Sequence, residues 1–187
     1  MRAFALIFFA VGVLDAWALL DARAVLRRSN RRLSTATFAQ LKITASDAEA
    51  YGSFGGSVAI DGNTVVISAP GGGVDGTFGV YVLRTSDGGA TYVEVAKLTV
   101  ADAATYGDFA SSVAIDGDTI VVGAYMAGTG GAVYVFRTSD GGATYGEVAM
   151  LTAADAAADD SFGGSVAIDG DTIVIGATGA STGGAVY

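Results

Sequence analysis

Side chains between residues 53 and 60 alternate in size, with Phe54, Val58 and Ile60 on one side and Gly55, Ser57 and Ala59 on the other. A period of two is that of a β-strand. The next apolar run, Val65-Val66-Ile67, has no polar side, as expected of a strand covered on both faces. Between the two lies Asp61-Gly62, the dipeptide preferred at the centre of a type I′ hairpin turn. A third strand is predicted over 79–84. A fourth, around 92–98, carries Glu94 and Lys97 and so reads as a polar outer edge.

The pattern then repeats. FGGSVAIDGNTVVISAP from Phe54 returns as FASSVAIDGDTIVVGAY from Phe109 and as FGGSVAIDGDTIVIGAT from Phe162, at spacings of 55 and 53 residues. Ala69 to Ala124 is 55 residues and Arg84 to Arg137 is 53, so the lost pair falls in a loop, where repeat architectures tolerate length changes. Tandem four-stranded units with both sheet faces buried predict an all-β fold, a partial β-propeller of antiparallel blades. The blades are expected at about 41–96, 97–149 and 150–187, two complete and the third truncated. Tyr187 falls where Tyr134 falls in the preceding unit, in the middle of a third strand. The natural protein is therefore expected to continue, or copies to assemble. With no polar cap legible at either end, self-association through open blade edges is expected.

Composition narrows the chemistry. None of the 187 residues is Cys or His, which removes disulfides, Cys nucleophiles, His general bases and His/Cys zinc sites. From Leu41 onward four basic residues face seventeen acidic ones, a net charge of −13 that opposes nucleic-acid binding. Residues 1–40 hold the other six basic residues. Arg2, an apolar run from Ala3 to Leu14 and the cleavage patterns Ala16-Trp17-Ala18 and Ala22-Arg23-Ala24 predict a signal peptide over 1–24. The Arg cluster at 23, 27, 28, 31 and 32 fits an uncleaved membrane anchor instead, which would be the chain's one link to a membrane. Residues 25–40 read as a basic linker.

The units resemble FG-GAP repeats of the integrin-α type of propeller. Phe54-Gly55 and Phe162-Gly163 match the Phe-Gly element, and Ser68-Ala69-Pro70 and Gly123-Ala124-Tyr125 approximate Gly-Ala-Pro. The octapeptide TSDGGATY, at Thr85 and again at Thr138, resembles the Asp-box hairpin of propeller blades. That resemblance implies that Asp87 and Asp140 order a turn over a packed aromatic, a structural role.

Asp-boxes also occur in sialidases, which the resemblance would endow with an arginine cluster, a Tyr nucleophile and a carboxylate. Arg84 and Arg137, like Glu94 and Glu147, are repeat equivalents and do not converge, so no catalytic residue is expected and the chain is read as no enzyme. Calcium is the sharper candidate, because integrin-type blades hold it in Asp/Asn loops. Asp61-Gly62-Asn63, Asp116-Gly117-Asp118 and Asp169-Gly170-Asp171 offer two side chains each, against the six to eight oxygens calcium takes. No metal or cofactor site is expected, and the acidic stretch Asp155 to Asp160 reads as a solvated connector. Tyr81, Tyr134 and Tyr187 recur in the third strand and are expected to pack between blades. The expected role is a secreted or cell-surface binding or adhesion module for a protein or glycan. The alternatives are an accessory region of an exported glycan- or lipid-active hydrolase, or a structural matrix protein.

Overall fold

The period-two segments form strands in three antiparallel sheets. A computed structural model describes residues 40–47, 52–71, 79–101, 109–180 and 183–187. The predicted leader, and the linker but for residue 40, lie outside them. Blade 1 comprises β1 (Val58–Asp61), β2 (Thr64–Ala69), β3 (Gly79–Arg84) and β4 (Val93–Leu98), hydrogen-bonded in that order. Blade 2 repeats it with β5 (Ser112–Asp116), β6 (Thr119–Ala124), β7 (Ala132–Arg137) and β8 (Gly146–Leu151). Blade 3 has β9 (Phe162–Asp169), β10 (Thr172–Ala177) and β11 (Ala185–Val186). Among the described residues no helix forms, and the architecture is the expected partial propeller.

The turns after the first strands differ from the predicted frame. Asp61 pairs with Thr64, Asp116 with Thr119 and Asp169 with Thr172, so the central residues are Gly62-Asn63, Gly117-Asp118 and Gly170-Asp171. Among the described residues φ is positive at these three glycines (+53°, +53°, +56°) and not at the residue after each. That is the signature of a type II′ turn with Gly first, not the expected type I′. Both turns suit the right-handed strand twist. The one-residue shift leaves each Asp as the last residue of its strand, with its side chain off the turn.

The blades stack face to face through the side chains the alternation places inward. Val66, Val80 and Val82 of blade 1 meet Phe109, Val113, Ile120 and Tyr134 of blade 2. Ala114, Val121 and Val133 on the other face of blade 2 meet Phe162, Ile175 and Ala177 of blade 3. Val66, Ile120, Val121 and Val133 are fully buried. Burial of such side chains is worth about 1.5–3 kcal/mol each, so the stacking surfaces are the main source of stability. Each first strand lies across the blade before it, β5 over β1 and β2, and β9 over β5, β6 and β7.

Side chains of one blade also bond the main chain of the next. The Asp61 carboxylate accepts from the Gly117 amide at 2.8 Å, and Asp116 from the Gly170 amide at 2.6 Å. Val113 N donates to Ser57 Oγ at 3.2 Å, Ser112 Oγ donates to the Gly163 carbonyl at 2.8 Å, and Arg84 donates to the Gly141 carbonyl. At the second junction the approach is close enough to require glycine. A Cβ on Gly123 would lie 2.0 Å from the Gly163 carbonyl oxygen.

Two expectations about the edges are corrected. Blade 1's outward face is not bare: Ile43 and Ala45 pack on Ile67, Ala69, Tyr81 and Leu83, while Lys42 and Thr44 at the alternate positions are exposed. An extended segment with alternating polarity covers a sheet face as readily as another strand does. The outer strands are also less polar than Glu94 and Lys97 suggested. They expose Val93, Val148 and Met150, while Lys97 folds back over the Tyr81 ring at 4.9 Å. A register shift in β4 and β8, between Val82/Leu83 and Val135/Phe136 of their partners, bulges both edges, a device that discourages further strand pairing.

Candidate functional site

Three sets of polar groups carry enough chemistry to be considered: the Asp-box hairpins, the Tyr-Asp contacts beneath the first strands, and the loops where blade 2 meets blade 3.

In the first hairpin Thr91 donates to Asp87 twice, through its amide at 2.9 Å and its hydroxyl at 2.6 Å, and the Thr85 hydroxyl donates at 2.7 Å. Thr85 Oγ1 in turn accepts from the Gly89 amide at 2.9 Å. The second hairpin reproduces the set around Asp140, with Thr144 at 2.9 and 2.6 Å and Thr138 at 2.7 Å. These bonds, the Thr91 and Thr144 hydroxyls first, hold both carboxyls well below the usual carboxylate range. Both carboxylates are spent on ordering the turn, the role the motif implies.

The recurrent aromatics pair within a blade before they pack between blades. Phe54 meets Tyr81 edge to face at 5.3 Å, Phe109 meets Tyr134 at 5.6 Å, and Phe162 meets Tyr187 at 5.3 Å. The Phe109–Tyr134 pair sits in the core between blades 1 and 2, as expected of packing aromatics. The Tyr81 hydroxyl donates to Asp47 at 2.5 Å and that of Tyr187 to Asp155 at 2.7 Å. Asp47 is further bound by Lys97 at 2.5 Å, and the Lys97 and then the Tyr81 hydrogen bond lower its pKa. Burial and then Asp47 raise the pKa of Tyr81, and Asp155 raises that of Tyr187. The phenols are held protonated, the opposite of what activates a Tyr nucleophile.

Sequence reasoning missed these Asp-Tyr contacts, although their signal was present: Asp47, Asp102 and Asp155 each precede the repeat's Phe by seven residues. In the stretch from Asp155 to Asp160 it misjudged one residue. Asp160 is buried and accepts from the Ala157 amide at 2.7 Å, whereas Asp155 and Asp159 are exposed as expected, Asp155 also accepting from the Tyr187 hydroxyl. Arg84 reaches the neighbouring hairpin, whereas Arg137 donates to Thr119 within its own blade at 3.0 Å; the two do not converge. Glu94 and Glu147 lie on separate outer strands. Among the described residues no three His, Cys, Asp or Glu gather as a metal site would require.

The third set forms a cleft. Tyr125, Met126 and Thr129 in the β6–β7 loop face Asp159 and Ser161 before β9 across a cavity of about 430 Å³. Asp159 and Ser161 both take left-handed conformations, φ +68° and +60°, which turn the chain sharply into blade 3. Met126 is 58% exposed at the rim. The chemistry on offer is an apolar thioether, hydroxyls and one carboxylate, a set suited to holding a ligand.

No curated protein matches the chain. The family model for the FG-GAP repeat matches it at residues 38–93, 92–136 and 145–187, which together cover most of its length. Each match spans one Phe-Tyr pair and the turn into the first strand, where Ser53 and Gly55, like Ser161 and Gly163, take positive φ and Ala110 stands at +71° in place of the family's glycine. With the corner conformation kept even where its glycine is lost, and three matched segments in register with three blades, the chain belongs to the FG-GAP repeat family.

Proposed function

We propose that the chain is a non-catalytic binding or adhesion module, exported or held at the cell surface, that takes a protein or glycan ligand in the cleft between blades 2 and 3. FG-GAP repeats are typically extracellular binding modules, which supports both the class and the location. The observation that carries the reading is the contrast between that cleft and the recurrent polar groups. Asp61, Asp87, Asp116, Asp140 and Asp155 each hold a turn, a junction or a Tyr, whereas Met126 and Asp159 lie exposed around a cavity of ligand size. Catalytic sites normally break the symmetry of a repeat with a unique cluster of titratable groups. The cleft breaks it with contact surface.

Arrays of extracellular proteins and glycans, probed with wild type and with Met126→Glu and Asp159→Lys, test the reading. A ligand retained by wild type should lose tenfold or more in affinity in both variants, with unchanged thermal melts. Equal retention by all three would remove the cleft as the site. Turnover of glycan or lipid-ester substrates by wild type would sink the non-catalytic reading.

A further inference from the structure

Blade 2 receives blade 3 on a surface that blade 3 carries again on its own far side. Ser112–Ala124 and Ser165–Ala177 differ at one position, Val122 against Ile175, and that residue points back toward the preceding blade. Gly131-Ala132-Val133-Tyr134 returns unchanged as Gly184-Ala185-Val186-Tyr187. On blade 2 this surface is covered, with Val121 and Val133 at 0% exposure. On blade 3 their equivalents Val174 and Val186 are 43% and 73% exposed. Asp169 stands where Asp116 accepts the Gly170 amide, and Ser165 where Ser112 bonds the Gly163 carbonyl. Gly176 keeps the recess that Gly123 provides. A Cβ there would meet only Ser165, its Oγ at 2.3 Å, whereas at Gly123 the incoming carbonyl already fills the space.

The segment that fits this surface lies in blade 1. Ser53–Gly62 repeats Ser161–Gly170 residue for residue. The backbone corner is the same, with φ +53° and +93° at Ser53 and Gly55 against +60° and +89° at Ser161 and Gly163. Blade 3 turns Val166 and Ile168 of this segment into blade 2. In blade 1 the equivalents Val58 and Ile60 are 64% and 65% exposed, although the corresponding Val113 and Ile115 of blade 2 are buried. The covering segment at Ile43 and Ala45 packs chiefly over β2 and β3 and leaves these two β1 side chains open. A first strand is the element that crosses the preceding blade at both junctions.

We propose that the outer face of blade 3 binds β1 and its Phe-Gly corner in a second copy of this chain, head to tail. In that junction Val58 and Ile60 lie on Val174 and Val186, Asp169 accepts the partner copy's Gly62 amide, and Ser165 donates to its Gly55 carbonyl. The interface joins two different surfaces, so it propagates or closes into a ring.

Sedimentation velocity of the full chain over a concentration series tests this. Wild type is expected as species of two or more copies, with average mass rising with concentration. Val58→Glu spoils one surface and Val174→Glu the other, so each variant alone should sediment as a single copy. Mixed in equal amounts, each variant offers the surface its partner lacks, and a two-copy species should form. Ile60→Glu and Val186→Glu repeat the test from a second position on each face, so that a variant that fails to fold decides nothing by itself. A single copy of wild type at the highest concentration, assembly by folded V174E and V186E equal to wild type, or a mixture that stays single would each overturn the proposal.

Discussion

Replacing Gly123 by Ala tests how closely blades 2 and 3 must approach. The added Cβ would sit 2.0 Å from the Gly163 carbonyl oxygen and 2.3 Å from Ser112 Oγ, where real Cβ atoms keep at least 3.0 Å. Gly163 must therefore retreat by about 1 Å, since its backbone, unlike a side-chain tip, has no rotamer to escape into. Overpacking of this kind costs about 1–3 kcal/mol. Loss of the 2.8 Å Ser112–Gly163 bond adds about 0.5–1.5 kcal/mol. Against this, Ala in a strand is favoured over Gly by roughly 0.5–1 kcal/mol. The net expectation is a loss of about 2–3 kcal/mol, or about 4–12 °C in melting temperature for a unit of this size. Gly176→Ala is the matched control, because its Cβ would meet a hydroxyl that can rotate away. It should melt within about 2 °C of wild type, given the small effect of unstrained substitutions. Thermal melts by circular dichroism, at concentrations where the protein is a single copy, read both. A G123A melt indistinguishable from wild type, or an equal fall in G176A, would refute the argument from close approach.

Stability should also fall in acid. Asp87 and Asp140 have folded pKa values below the unfolded value near 3.9, so between the two the folded state binds fewer protons; their contribution is full above about pH 4 and is lost as pH falls through the folded values. The double variant D87N/D140N should lower the melting temperature at pH 7 and flatten its acid slope, and an unchanged slope would show that the boxes do not drive it. Asp116→Ala removes a blade junction bond and should lower the melting temperature, whereas Asp169→Ala, at the same place in blade 3, should leave a single copy unchanged; equal effects would deny the junction its role. Ultraviolet titration should find Tyr81 and Tyr187 ionising above the ordinary phenol value of 10.0, and Asp47→Asn should bring Tyr81 down toward it; a Tyr81 transition that stays put would mean burial alone sets it.

Much of the fold was legible because the unit is written three times. Alternation at Val58–Ile60, the unbroken Val65–Ile67 run and the boundaries of β3 and β7 follow from side-chain period, and the Thr-Asp-Thr spacing of the hairpins is local, whereas the alternation from Ser53 to Ser57 misled, since those residues form a turn and β1 begins only at Val58. What escaped depends on geometry that spacing does not encode. Asp-Gly can stand at the centre of a turn or across its start, and only the pairing of Asp61 with Thr64 decides. Tyr81 and Asp47 lie 34 residues apart, and neither reports the other until the sheet folds. The segment at Ile43 and Ala45 is too short for its alternation to identify the face it covers. The cleft owes its form to left-handed conformations at Asp159 and Ser161; Asp is enriched in that region but adopts it in a minority of cases, and Ser has no such enrichment.

At every junction bond described above, the side chain belongs to the earlier blade and the main-chain group to the later one: Asp61 to Gly117, Ser57 to Val113, Arg84 to Gly141, Asp116 to Gly170, Ser112 to Gly163. Amides and carbonyls are present whatever the side chain, so for these polar bonds a unit needs only the right backbone corner, while the apolar packing of the junction still rests on its inward side chains. Ala110 illustrates the latitude, accepting +71° where the other two corners have glycine. A gene segment encoding one unit can therefore be copied into the array with these polar bonds re-formed at each joint, so long as its inward apolar side chains are kept. The rule also sets which drift is tolerated. Changes at Asp, Ser or Arg weaken the joint ahead of a unit and leave the joint behind it intact, so damage to the array stays confined to one seam.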